Sequence, residues 1–191
     1  MGNSKLFTPV TFGPLTLRNR TIRSAAFESM CPGNAPSDML LDYHRSVAAG
    51  GIGMTTVAYA AVTRSGLSFD RQLWMRPEII PGLRKLTDAI HAEGAAAGIQ
   101  LGHCGNMSHK SICGCTPVGA SGGFNLYSPT FVRGLRADEL PEMARAYGRS
   151  VNLAREAGFD AVEIHAGHGY LISQFLSPST NHRKDEFGGS L

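Results

Sequence analysis

Short runs of apolar and small residues alternate along this chain with longer stretches whose apolar positions repeat at helical spacing. TIRSAA (21–26), GIGMTTVAYA (51–60), AAAGIQLG (95–102) and DAVEIHA (160–166) each read as a strand. Helices are predicted over 39–49, 77–93 and 137–157. Pro77 suits a first helical position and Gly94 a stop; Asp138 suits an N-cap and Gly158 an end. In the third helix Met143, Ala146, Tyr147, Val151 and Ala154 form one apolar face. The order β-α-β-α-β-α-β predicts parallel pairing and an α/β fold.

Gly-rich, polar connections follow the strands. The third, HCGNMSHKSICGCTPVGASGGFNLYSPTFVRGL, is too long for a plain connector and reads as a lid or binding loop. FDRQLWMRPE, around Trp74, is expected to dock a loop onto the rim of the sheet. No internal repeat beyond the βα unit and no linker divides the chain. Four strands do not close a βα-barrel, which takes eight over typically about 250 residues. The expected fold is therefore the first four βα units of a (β/α)8 TIM barrel, residues 1–191 forming its N-terminal half, cut after the fourth strand with two strand edges open.

Composition narrows the classes. The chain is 42% hydrophobic and 17% charged, with a formal charge of +3 and no Lys/Arg block, so nucleic acid and an anionic membrane are poor partners. No apolar run is long enough to span a bilayer. MGNSKLF lacks the apolar core of a secretory signal, and its loose likeness to a myristoylation motif has no second anchor beside it. Four cysteines, Cys31, Cys104, Cys113 and Cys115, argue against a disulfide framework and for a reducing cytoplasm. Cys113-Gly114-Cys115, with His103 and His109 nearby, offers no clear metal-ligand spacing and reads as loop thiols.

In a βα-barrel the chemistry sits at the C-terminal ends of the strands. Here those ends carry Ala25-Ala26-Phe27-Glu28, Ala58-Tyr59-Ala60, Gln100 with His103, and His165. Small residues let backbone groups approach a flat ring, and the Gln100 amide can bond a heterocycle edge. HAGHGY places His165, His168 and Tyr170 within six residues. Two imidazoles and a phenol there can bond a substrate oxygen and supply a proton. A metal-hydrolase reading, with Glu163 as a third ligand, competes with this one. Glu163 is instead expected one layer deeper, paired with an inward cation such as Arg23. His103 is either a site-lining donor or a loop packer. Asn181, Arg183 and Asp185 read as a hydrogen-bonded loop scaffold.

From LFTPVTFGPLTLRNRTIRSA to HAGHGYLISQFLSPSTNHRKDEFGGSL, essentially its whole length, the chain resembles the old yellow enzyme family of FMN-dependent NAD(P)H:flavin oxidoreductases. RTIRSAAFE (20–28) is most similar to the branch holding bacterial-type ene-reductases and dienoyl-CoA reductase-like proteins. The resemblance implies an FMN-binding barrel that takes hydride from NADH or NADPH and delivers it to the activated C=C bond of an enone, a nitroalkene or an enoyl-type substrate. It implies backbone contacts to the flavin from Ala25, Ala26, Phe27 and Tyr59, with Gln100 on the pyrimidine side and His165 beside the ring. It implies that His165 and His168 hold the substrate's carbonyl or nitro oxygen, and that Tyr170 donates the second proton. The FMN phosphate would be held by later strands, beyond residue 191. Phe27 stands where relatives often have Thr or Cys, and Asn106 where many have Arg. The implied partner is a small-molecule alkene, in a cytoplasmic enzyme. The alternative is a catalytically silent half-barrel that cannot retain FMN and associates with itself through its open edges as a homo-oligomer.

Overall fold

The computed structural model describes residues 4–189, so the first three residues of MGNSKLF and the last two of the chain lie outside it. An antiparallel hairpin comes first, β1 (Val10–Phe12) and β2 (Leu15–Leu17), turning at Gly13 with φ +54°. The hydrophobic pattern does not announce it, because three-residue strands are too short for an alternation to register.

The main sheet has four strands: β3 (Ile22–Arg23), β4 (Met54–Ala61), β5 (Ala96–Gly102) and, later in the chain, β9 (Ala161–Ile164). They pair in the order β3-β4-β5-β9, all parallel. Helices α1 (Asp38–Ala49), α2 (Ile80–Ala92) and α4 (Leu140–Glu156) fill the connections. The Ser37 hydroxyl accepts from the Leu40 N–H at 3.2 Å and caps α1. Pro77 opens a 3₁₀ turn leading into α2, and Gly94 ends it in the left-handed region at φ +76°.

Two boundaries differ from expectation. Asp138 is not an N-cap. A 3₁₀ turn over Ala137–Glu139 precedes α4, and the Glu139 carboxylate accepts from the Arg136 N–H at 2.8 Å. The longer side chain reaches back where Asp138 cannot. Strand β3 is also shorter than TIRSAA. The Arg23 guanidinium donates to the Thr56 and Ala26 carbonyls, so a side chain takes acceptors the ladder would use and the backbone turns off the sheet.

One core lies between sheet and helices: Val57, Ile99 and Leu101 meet Leu40, Leu83, Leu86 and Ile90. Fully burying each such side chain contributes about 1.5–3 kcal/mol. Met54, Thr56 and Ala58 face the other way. Alternation then fails: Val57 pairs Ile99 but Ala60 pairs Leu101, so β4 carries one more residue than β5 there. This bulge puts both Ala58 and Tyr59 on the face away from the helices, where they pack with Ala61, Leu67 and Cys104.

The 103–135 connection has structure of its own. It holds α3 (Lys110–Cys113) and a three-stranded sheet of β6 (Val118–Gly119), β7 (Gly123–Asn125) and β8 (Thr130–Gly134), in the order β6-β8-β7. After β9 comes α5 (Leu171–Leu176). The Trp74 loop docks as expected: Ala61 N–H donates to the Leu73 carbonyl at 2.8 Å and Met75 N–H to Ala61 at 2.9 Å. Among the described residues no helix is long and apolar enough to cross a membrane.

Candidate active site

The strand ends gather their aromatic rings into one cluster. His165 leaves β9, and its ring lies 4.9 Å from His168, 5.0 Å from Tyr170 and 5.8 Å from Tyr59 between centroids. Tyr59 and Tyr170 are 5.4 Å apart. The bulge aims Tyr59 here. Its hydroxyl donates to the Gly66 carbonyl at 3.0 Å, and its own carbonyl accepts from Gln72 Nε2. Tyr59 is thus a fixed floor under His165 and Tyr170. Gly102 lies against that floor; a Cβ there would sit 2.8 Å from the Tyr59 ring and 3.3 Å from His165 Cβ.

The two imidazoles bond each other. His165 Nε2 and His168 Nδ1 are 3.2 Å apart, and the Gly167 N–H donates to His165 Nδ1 at 3.4 Å. With Nδ1 accepting, neutral His165 carries its proton on Nε2 and donates to His168. Burial first, then the neighbouring His168, holds the His165 pKa below the usual imidazole value, which keeps this tautomer neutral at pH 7. The sequence suggests two free donors. Instead the His165 donor is already spent on its neighbour. His168 is exposed and left-handed at φ +57°, between two glycines, a conformation few non-glycine residues hold. Burial pushes the half-buried Tyr170 phenol up, so it stays a protonated donor.

Gln100 lies on β5 in register with Glu163 of β9, and its Nε2 donates to the Glu163 carboxylate at 2.6 Å. This corrects the pairing of Glu163 with Arg23. Those two sit on opposite outer strands of the sheet, and Arg23 instead pairs with Glu28 at 2.8 Å. Among the described residues no three His, Cys, Asp or Glu side chains converge as a metal site, and the Glu163 carboxylate is engaged by Gln100. Ala25, like Tyr170, packs against the buried cluster that holds Ala58, Tyr59 and Ala61. Phe27 turns away and stacks on Phe69 at 4.5 Å, so at most its backbone serves the site. His103 is wholly buried and bonded on both nitrogens, to the Gly105 N–H at 2.9 Å and Ser65 Oγ at 3.1 Å. It is a packing residue. Asn181 and Arg183 do form a scaffold: Asn181 Nδ2 donates to the Phe175 and Phe187 carbonyls, and Arg183 bonds Asp185 and the Ala120 carbonyl.

Two supports escaped the sequence reading. The Glu28 carboxylate accepts from Arg23, accepts from the Ala58 N–H of the bulge at 3.3 Å, and lies 3.3 Å from buried His44. Gln174 of α5 donates to the carbonyls of Cys104 and Gly169 and to Asn106 Oδ1, tying the HGY loop to the β5 exit. A long amide side chain on a short, mostly apolar helix was its signal. Beside His168 opens a groove of about 600 Å³, lined by Asn106, Phe124, Asn125, Ser121 and His182.

A parallel sheet with catalytic-type side chains collected at its C-terminal rim defines a βα-barrel class of enzyme fold, of which this chain supplies about the first four βα units. The chain belongs to the NADH:flavin oxidoreductase / NADH oxidase family, whose model matches residues 5–191. It is 43% identical over 186 residues to the 4,4'-dithiodibutanoate disulfide reductase of Rhodococcus erythropolis, covering 97% of this chain and 46% of the relative. It is 37% identical to the NADPH dehydrogenase of Bacillus subtilis, covering 97% and 55%. The old yellow enzyme homologue from Zymomonas mobilis superposes with a TM-score of 0.90 at 29% identity, over 98% of this chain and 55% of that one. The chain spans about half the length of the curated relatives it matches.

Proposed function

We propose that residues 1–191 form the N-terminal half of an FMN-binding barrel domain that passes hydride from NADH or NADPH, through flavin, to an activated C=C bond of an enone or nitroalkene. The observation that carries this reading is the convergence of His165, His168 and Tyr170 over the Tyr59 floor, beside Gln100, at one end of a parallel sheet. FMN, when bound, supplies the two-electron chemistry.

The residues present fit such a group. The Gln100 side chain gives its amide N–H to Glu163, while its amide oxygen accepts no hydrogen bond among the described residues. A ring N–H suits that acceptor. The backbones of Ala25, Ala26, Phe27 and Tyr59, with His165, would hold the rest of the ring edge. His165 and His168 bind the activating oxygen of the substrate, where negative charge develops as hydride arrives at the alkene. His168 has to release His165 Nε2 for this. Tyr170 holds the proton due at the neighbouring carbon. The alternative acceptor is a dialkyl disulfide, favoured by the name of the relative from Rhodococcus.

The test is spectroscopic. Reconstituted with FMN and freed of unbound flavin by gel filtration, the whole barrel carrying this half stays yellow, and phenol or enone perturbs that absorbance. His165→Ala weakens the enone response about a hundredfold, in line with loss of one oxyanion donor, while NAD(P)H bleaches the flavin at the original rate. A whole barrel carrying this half that stays colourless after FMN reconstitution, or equal loss in both half-reactions, overturns the proposal. Replacing enone with 4,4'-dithiodibutanoate decides between the acceptors.

A further inference from the structure

Two thiols meet outside the strand-end cluster. Cys113 closes α3 and Cys115 follows it across one intervening residue, Gly114, with their Sγ atoms 3.6 Å apart. Both are free thiols, and Cys113 Sγ also donates to the Cys115 carbonyl at 3.2 Å. Gly114 creates this approach. It takes φ +75° and its N–H donates to the Lys110 carbonyl, ending the helix and folding Cys115 back toward Cys113. The turn is covered by Arg64, whose guanidinium lies 3.0 Å from where a Cβ at position 114 would be.

The two sulfurs differ in access. Cys113 is buried at 2% exposure, whereas Cys115 is exposed. The remaining thiols, Cys31 and Cys104, are buried at 4% and 0% exposure, so a dissolved disulfide reaches Cys115 and neither of them. Burial and the neighbouring Cys113 hold Cys115 above the ordinary thiol value, and Arg64 and Arg133 oppose them. No third His, Cys, Asp or Glu joins the pair among the described residues, which disfavours a tetrahedral metal site.

We propose that Cys113 and Cys115 form a dithiol redox site that exchanges two electrons with low-molecular-weight disulfides, Cys115 attacking and Cys113 resolving. Cys115 gives up its proton, and its thiolate attacks one sulfur of RS–SR. The RS–SR bond breaks, one RS⁻ leaves and takes up a proton, and a mixed disulfide remains on Cys115. Cys113, deprotonated in turn, attacks Cys115 Sγ and expels the second sulfur as RSH. The protein pair is oxidised by two electrons to Cys113–Cys115 disulfide and the external disulfide is reduced to two thiols. Side-chain rotation has only to close 3.6 Å to the ~2.05 Å of a sulfur–sulfur bond. The ring formed across a single residue is tight, which makes the bond reducible and the site reversible.

This site needs no flavin and no NAD(P)H, so its test is independent of the proposed hydride transfer. The reduced chain is incubated with glutathione disulfide without NAD(P)H, quenched with iodoacetamide and digested with trypsin; peptide 111–133 carries both cysteines and no others. The expected peptide is unalkylated and lighter by two hydrogen atoms than the dithiol form, and excess dithiothreitol restores two alkylation sites. Cys113→Ser should accumulate a stable glutathione adduct on Cys115, and Cys115→Ser should consume glutathione disulfide at least about tenfold more slowly. A wild-type peptide alkylated at both positions, or glutathionylated without ring closure, overturns the proposal. That outcome is read on the unmutated chain, so a variant that fails to fold leaves the test intact.

Discussion

Strands β5 and β9 lie side by side, and each runs into a histidine at the same end of the sheet. The two sites behave differently. His103 is wholly buried, with both ring nitrogens bonded inside the protein, and burial lowers its pKa to about 4. His165 meets a second imidazole that is itself exposed and held in a left-handed turn. Position at the rim does not make a histidine chemical. What matters is whether its donors are committed to fixed backbone and hydroxyl groups or to a partner that can move aside.

The largest effect should come from breaking the fixed side. His103→Ala removes a ring at 0% exposure and two hydrogen bonds, so it should lower stability by about 2–5 kcal/mol. His165→Ala should cost less stability than His103→Ala while weakening the enone response about a hundredfold. Urea melts of both variants check this; equal losses would erase the distinction.

Acid should reveal the same asymmetry. The His103 pKa is about 4 in the folded chain and near 6.5 when unfolded, so between these values the unfolded state binds more protons. Stability is complete above pH 6.5, falls as pH drops toward 4, and then levels, by about 3 kcal/mol in all from this group. His165 shifts in the same direction. Melts of His103→Gln across pH 4–7 should lose most of that slope.

A subtler probe joins the two strands. Gly102→Ala forces a methyl into the 2.8 Å space before the Tyr59 ring and toward His165. Overpacking of this kind costs about 1–3 kcal/mol. Ligand perturbation of the flavin spectrum should weaken by more than that stability loss explains, because the floor beneath His165 moves.

Much of this was readable beforehand. MTTVAYAA and AAGIQLG sit in a sheet covered on one face by helices and on the other by loops and rim residues, so they are nearly unbroken apolar runs, which any register keeps legible. HAGHGY was legible because its chemistry-bearing residues are local in sequence. The pairing of Glu163 was not, because it depends on strand order: Gln100 is a lateral neighbour, whereas Arg23 is at the far side of the sheet. The β4 bulge was equally hidden. Ala58 and Tyr59 are acceptable on either face, and only the extra residue relative to β5 turns both toward the site.

The order of the main-sheet strands and their connecting helices, the parallel class and the identity of the strand-end residues follow from the chain alone, because hydrophobic period and helix-ending glycines act over a few residues. Which nitrogen of His165 carries a proton, that His168 occupies its donor, and that two loop sulfurs stand 3.6 Å apart were settled only by folding. Those facts depend on burial and on contacts between distant or sharply turned backbone, and no local pattern of residue types encodes either.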